Sequence, residues 1–303
     1  MAPRSDASRA RALITGIGGF TGRYVAAELR EAGYDIVGLG QAGLDDVDAE
    51  VHAVDLCDRD AVRAFVSAQR IDAVVHLAAI SFVAHGDADA IYRVNIVGTR
   101  NLLEALAENA HAPRIVVLAS SANIYGNATV EPITEETPPS PANDYAVSKL
   151  AMERMAALWS DRLPIVFARP FNYTGVGQSL NFLVPKIVDH FRRGAREIEL
   201  GNTDVVRDFS DVRDIARMYR VLVERAPVGG TFNLCSGIGH SLDDILDSVG
   251  TLAGYRIAVR VNPAFVRGNE VKRLVGSPAS IARIVDGSEP RPIAETLAWM
   301  LNA

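Results

Sequence analysis

The stretch LITGIGGFTGRYVAAEL, residues 13–29, restricts this chain more than any other. A short apolar run, Ala12–Thr15, ends in glycines and feeds a helically spaced segment, Gly22–Ala32, that stops at Gly33. Gly16, Gly19 and Gly22 are spaced G-x-x-G-x-x-G. Glycines so placed allow a sharp turn and bring backbone N–H groups and the positive end of the helix against a pyrophosphate. The third lets the helix lie close on a sheet. Strand, glycine turn and helix inside a repeating βαβ pattern predict dinucleotide binding.

That pattern continues. Asp35–Leu39 and Val51–Asp55 read as strands, and Asp60–Gln69 as a helix. Ala73–Ala79 is a continuous apolar run, as in a strand covered on both faces. Ile91–Glu108 reads as one long helix, followed by strand Arg114–Ser120, helix Tyr145–Ser160 and strand Ile165–Arg169. The fold class is therefore α/β, a doubly wound parallel (Rossmann) sheet. After Pro170 the rhythm is irregular, with helices near Val184–Arg193 and Val212–Arg225 and strands at Thr231–Leu234 and Arg256–Val261. Residues 1–171 and 209–236 are assigned to the dinucleotide-binding domain. Residues 172–208 and 237–303 form a smaller, discontinuous C-terminal substrate lobe over the carboxyl ends of the strands.

A formal net charge of −6 argues against nucleic acid or an anionic membrane as partner, since either needs a basic face. The opening MAPRSDASRARA lacks the apolar core of a signal peptide. No apolar run approaches the roughly 20 residues that cross a bilayer, so the protein is expected in the cytoplasm. Cys57 and Cys235 read as free thiols there. His52, His76, His85, His111, His190 and His240 show no ligand spacing, and no metal is expected.

The end of the second strand, Leu39-Gly40-Gln41, carries neither an acid for the ribose of NAD nor a base for the 2′-phosphate of NADP. The missing acid tips the choice towards NADP(H) over NAD(H). Asp55 and Leu56, after the third strand, are placed to meet the adenine. Tyr145 and Lys149 stand four apart, on one face of a helix. At about 4 Å and an effective dielectric near 20 their attraction is roughly 4 kcal/mol. That is about three pKa units, enough to bring the phenol from about 10 towards 7.

With the glycine loop, SSANIYG at 120–126 and YAVSK at 145–149, the chain resembles the extended short-chain dehydrogenase/reductases, NAD(P)-dependent enzymes acting on nucleotide sugars. HLAA at 76–79, Asn95, RPFNYTGVGQ at 169–178, VVRDFSDVRD at 205–214 and NLCSG at 233–237 carry the resemblance along nearly the whole chain. It implies a catalytic triad of Ser121, Tyr145 and Lys149. Ser121 would hydrogen-bond the reacting oxygen and Tyr145 would transfer its proton. Lys149 would lower the pKa of Tyr145 and hold the nicotinamide ribose. It further implies cofactor contacts from Gly16, Gly19, Phe20, Gly22, Asp55, Leu56, Leu77, Ala78, Ala79 and Asn95, besides Tyr145 and Lys149.

In the related 4,6-dehydratases a Glu two residues after the Ser or Thr removes the C5 proton. Here that position is Asn123, and an amide has no protonation equilibrium near neutrality. The segment FVRGNEVKRLVGS, 265–277, resembles one in enzymes that handle GDP-4-keto-6-deoxy-mannose, with Gly268 where Pro is usual. By that analogy Arg267 meets the diphosphate and Glu270 the ribose, with Arg207 a second diphosphate ligand. NFLVPKIV at 181–188, including Phe182 and Leu183, should line the base. Asn172 would lie near the sugar, Lys186 near phosphate, and Ser81 and Asn123 would face the hexose.

The resemblance thus points to NAD(P)H-dependent reduction of the C4 ketone of a GDP-linked 4-keto-6-deoxy-hexose, giving GDP-D-rhamnose or its C4 epimer. Alternatives are a nucleotide-sugar 4-epimerase, a GDP-mannose 4,6-dehydratase-like enzyme, and a non-catalytic NADP-binding sensor. The helices near 91–109 and 145–160 are apolar on more than one face, and a homodimer through them is expected.

Overall fold

The computed structural model describes residues 9–40, 48–81, 86–266, 270–285, 287 and 289–303. The first half alternates β1 (Arg11–Thr15), α1 (Phe20–Glu31), β2 (Asp35–Gly40), β3 (Glu50–Ala53), α2 (Arg59–Ser67) and β4 (Ala73–His76). Then come α3 (Ala88–Tyr92), a π-helical segment (Arg93–Gly98), α4 (Thr99–Glu108), β5 (Ile115–Ala119), a 3-10 turn (Ala122–Tyr125), α5 (Asp144–Ala157) and β6 (Ile165–Pro170).

The remainder runs β7 (Asn172–Thr174), α6 (Leu183–Arg192), β8 (Glu197–Leu200), β9 (Val206–Asp211), α7 (Val212–Arg225) and β10 (Thr231–Leu234). It closes with β11 (Gly239–Ser241), α8 (Leu242–Ala253), β12 (Ala258–Val261), β13 (Arg273–Leu274), α9 (Ala279–Ala282) and α10 (Ile293–Asn302).

Seven strands form one parallel sheet in the order β10-β6-β5-β4-β1-β2-β3. Its central strands are mostly apolar because both faces are covered, and β5 is apolar at every position. Ala12, Ile14, Val75 and Val117 point to one side, into a core closed by Val25 and Leu29 of α1 and Ile215 and Leu222 of α7. Leu13, Val74, Val116 and Leu118 point to the other, against Val62 of α2, Leu102 and Leu106 of α4 and Met152 of α5. At about 25 cal/mol per Å² of apolar surface removed from water, these two layers supply the main drive for folding.

The strand order reverses between β1 and β4, and a crevice at that switch is where open α/β sheets bind ligands. Over the carboxyl ends lie two small sheets, β11-β9-β13 with β7 paired to β9, and the pair β12-β8. They share a separate core with α6, α8 and α10, built on Ile187, Phe191, Ile245, Val249 and Leu297. Among the described residues no helix is long and apolar enough to cross a membrane.

One expected element differs. The single helix expected over Ile91–Glu108 is three pieces, because the π-helical turn at Arg93–Gly98 interrupts it. The wide turn sits where Asn95 reaches two backbone partners in the loop after β4 and one side chain of α5. Such insertions occur often at functional sites.

Candidate active site

A cavity of about 950 Å³ opens at the switch point. Gly16 follows β1 with φ +71°, a conformation that a Cβ disfavours. A Cβ there would stand 2.9 Å from the backbone of Ala78, and one on Gly22 would stand 2.3 Å from the carbonyl oxygen of Gly16. These glycines let strand, turn and α1 touch backbone to backbone. Asp58 caps α2 and Asn143 caps α5, but α1 starts at Gly19 with no side-chain cap. Gly19, Phe20, Thr21 and Gly22 of that turn line the cavity.

Leu77, Ala78 and Ala79 form the facing wall, and Asp55 and Leu56 line the cavity beyond β2 and β3. Ser121, Tyr145 and Lys149 line it on the β5–β6 side. An uncapped glycine turn, a cleft of this size and this arrangement of walls fit a nicotinamide dinucleotide.

Ser121 follows β5 and caps the 3-10 turn. Its Oγ accepts the backbone N–H of Asn123 at 3.1 Å and the carboxamide Nδ2 of Asn123 at 3.0 Å. Lys149 Nζ donates to the carbonyl of Ala119 at 2.7 Å. Asn95 Nδ2 donates to Ser148 Oγ at 3.0 Å, and Ser148 donates to the carbonyl of Tyr145 at 2.7 Å. The π-helical turn therefore braces the helix that carries Tyr145.

The expected lowering of the Tyr145 pKa is not what this structure holds. Burial pushes the phenol up to about 12, against a downward pull from the Ser121 hydroxyl. Burial also brings Lys149 down to about 8, opposed by the charge of Glu153. The cost of burying a charge exceeds the attraction reckoned from spacing alone, and the Lys149 ammonium directs a proton at Ala119. Tyr145 is thus protonated at neutral pH.

Beneath this helix Glu153 and Arg169 form a bidentate pair, Nε to Oε1 at 2.9 Å and Nη2 to Oε2 at 2.7 Å. Arg169 Nη1 also donates to the Tyr125 hydroxyl at 2.8 Å and the carbonyl of Glu135 at 3.0 Å.

A second braced chain underlies the switch point. His76 Nδ1 lies 2.7 Å from Thr15 Oγ1, and Nε2 lies 2.8 Å from Thr99 Oγ1. Thr99 donates to the carbonyl of Asn95, and the N–H of Ala78 donates to Thr15. Counting protons then places the imidazole hydrogen on Nε2. Burial, then the Lys149 charge, brings His76 from 6.5 down to about 3.

Between those two values the unfolded chain binds a proton that the folded chain does not. Stability therefore falls as pH falls across that window. Urea midpoints recorded from pH 7 to pH 4 should decline, and His76→Gln should flatten the decline. An unchanged slope in the variant would refute the assignment.

Several residues expected at the site are not among those that line the cavity. Asn95 does not line the cavity; it is buried behind the wall, holding the N–H and carbonyl of Ile80. Leu183 packs into the core of α6, α8 and α10 instead of the cleft. Lys186 gives its ammonium to the carbonyl of Glu199 at 2.7 Å and sits over the Phe265 ring. Arg207 and Glu270 pair with each other at 2.6 Å, outside the cavity lining. A long side chain takes its nearest partner, and here that partner is protein. Arg267 lies outside the described residues, as do Gly268 and Gln41. Ser81, Asn123, Asn172 and Phe182 do line the cavity.

Residues not anticipated line it too. Tyr173 stacks on Phe20 and shares a 2.6 Å hydrogen bond with Thr21, joining the glycine loop to β7. Tyr219, Val94 and Gln178 add to the wall. The position of Tyr173 beside Asn172 was the one local signal.

Comparison with known proteins places this geometry. Residues 12–235 match the NAD dependent epimerase/dehydratase family. GDP-6-deoxy-D-talose 4-dehydrogenase of Aggregatibacter actinomycetemcomitans is 32% identical over 276 residues, 90% of each chain. GDP-6-deoxy-D-mannose reductase of Pseudomonas aeruginosa is 31% identical over 89% of each.

Among solved structures, a candidate epimerase of Burkholderia cenocepacia J2315 is 52% identical, with TM-score 0.91 and 97% of each chain covered. RMD of Pseudomonas aeruginosa, complexed with NADPH, is 30% identical with TM-score 0.85, covering 97% of this chain and 98% of that one. This chain belongs to the NAD dependent epimerase/dehydratase family and is an NAD(P)-dependent oxidoreductase of the extended short-chain dehydrogenase/reductase type.

Proposed function

We propose that the protein reduces the C4 ketone of a GDP-linked 4-keto-6-deoxy-hexose, converting GDP-4-keto-6-deoxy-D-mannose to GDP-D-rhamnose or its C4 epimer. One observation carries the choice of reaction. Among the described residues lining the cavity the single carboxylate is Asp55, which follows β3 on the far side of the switch from Ser121. Dehydration needs a base beside the sugar, and residue 123 offers an amide. Reduction needs a hydride and a proton only. Bound NAD(P)H supplies the hydride.

Tyr145 holds the proton at Oη and gives it to the C4 oxygen, while Ser121 donates a hydrogen bond to that same oxygen. Lys149 stands one turn along α5, its ammonium fixed by the carbonyl of Ala119. We assign the sugar and base to Asn172, Phe182 and Ser81, which line the cavity. The GDP preference is supported by the two curated relatives, both named for GDP-6-deoxy sugars.

NADP(H) is favoured over NAD(H), supported by the NADPH in RMD and by Leu39 and Gly40, which line the cavity at the end of β2 without an acid. We assign 1–171 with 209–236 to dinucleotide binding and 172–208 with 237–303 to the nucleotide sugar, the active form being a homodimer.

The second reading is a 4-epimerase, favoured by the 52% identity to the Burkholderia protein. The test generates the 4-keto-6-deoxy sugar from GDP-mannose, adds protein with NADPH or NADH, and identifies the product by NMR. Stoichiometric NADPH loss with a new C4 alcohol is expected. Tightly retained NAD with interconversion of two hydroxyl sugars, and no net NADPH use, would overturn the reading.

A further inference from the structure

Asn123 does more than leave the site without a base. A hydroxyl has two lone pairs and one proton. At Ser121 both acceptor directions are taken by residue 123, by its carboxamide at 3.0 Å and its backbone N–H at 3.1 Å. The one proton of Ser121 is then left to be given away. Ser121, Asn123 and Tyr145 line the same cavity.

We propose that Asn123 is a positioning residue that fixes the Ser121 hydroxyl as a donor aimed at the reacting oxygen. The inference rests on ketone reduction and deepens it. Negative charge grows on the C4 oxygen as hydride arrives, and a donor already aimed there stabilises it without reorganisation.

An acid at 123 would undo this. A carboxylate offers acceptors alone, and its charge-assisted bond would draw the Ser121 proton to itself. The substitution that supplied a base would take the donor away from the site. The other titratable groups facing this part of the cavity are Tyr145 and Lys149 from α5, Tyr173 from β7 and Tyr219 from α7, with Tyr125 buried in the turn behind it. They are common to wild type and variants, so a ratio to wild type isolates the new carboxyl.

The experiment measures kcat and KM for wild type, Asn123→Ala and Asn123→Asp from pH 4 to 8.5, a range that reaches down to the ordinary carboxyl pKa of about 3.9. Asn123→Ala is expected to lose about tenfold in kcat with little change in KM, the worth of one orienting hydrogen bond. Asn123→Asp is expected to lose about 100-fold at the alkaline end, as when an oxyanion donor is removed. Its rate should climb back towards that of Asn123→Ala as pH falls and the carboxyl takes a proton.

That climb is read within one folded variant, so a folding defect does not mimic it. Equal rates for both variants at every pH, or changes confined to KM, would overturn the proposal. The ratios are read on whichever nucleotide-linked ketosugar wild type reduces. A preference for UDP- or dTDP-linked ketones would therefore refute the GDP assignment while leaving the positioning role of Asn123 intact.

Discussion

Tyr145→Phe is expected to lower kcat for ketone reduction by about 10²- to 10⁴-fold, the range that a positioned proton donor contributes. The substitution removes one oxygen and keeps the ring that α5 buries. Burial holds the phenol's pKa up to about 12, so Tyr145 carries its proton throughout an ordinary assay range and no other side chain is needed to load it. Ser121 beside it can hold the substrate oxygen but has no low-pKa proton to give. NADPH affinity, followed by fluorescence titration, should be nearly unchanged, since the glycine turn and the Ala78 wall are untouched. Single-turnover rates at saturating NADPH provide the check. A variant that kept more than about a tenth of the wild-type rate would place the proton transfer elsewhere.

Glu153→Ala is expected to cost about 3–5 kcal/mol of stability, the usual penalty for stranding one member of a buried ion pair. The side chains of Arg169 and Glu153 are only 9% and 6% exposed, and water cannot replace the lost carboxylate. Tyr125 and the Glu135 carbonyl would remain, both neutral acceptors for a full guanidinium charge. Urea unfolding measures the loss. Adding Arg169→Met to the variant should restore part of it, because the unpaired charge leaves with the arginine. A loss below about 1 kcal/mol, as for an exposed pair, would show that the site is wetter than its burial indicates.

The sheet was legible because strands buried on both faces must be apolar at every position, and Ile115–Ala119 meets that condition without exception. Ser121, Tyr145 and Lys149 were legible from the one-turn spacing of phenol and ammonium beyond a glycine loop. Their electrostatics were not. An estimate from separation omits both the burial of the phenol and the carbonyl of Ala119, and these reverse the direction of the Tyr145 shift. The π-helical turn was hidden because apolar spacing alone does not register a widened turn. Its cause lies with Ile80 and Ser148, 15 and 53 residues away from Asn95. Thr21 and Tyr173 meet across 152 residues, which no local pattern encodes. Lys186 and Arg207 hold protein partners, the carbonyl of Glu199 and the carboxylate of Glu270, that neither charge nor motif indicates.

The setting of α4 bears on self-association. Its broad oily surface is matched by α2 on one flank and α5 on the other, all within one chain. That breadth therefore makes no demand for a companion molecule. The most exposed large apolar side chains along the π-helical segment and α5 with its C-cap are Val97, Val147 and Leu158. A second copy would have to settle on those few side chains, and its grip would be decided there rather than by the greasiness of the helices themselves.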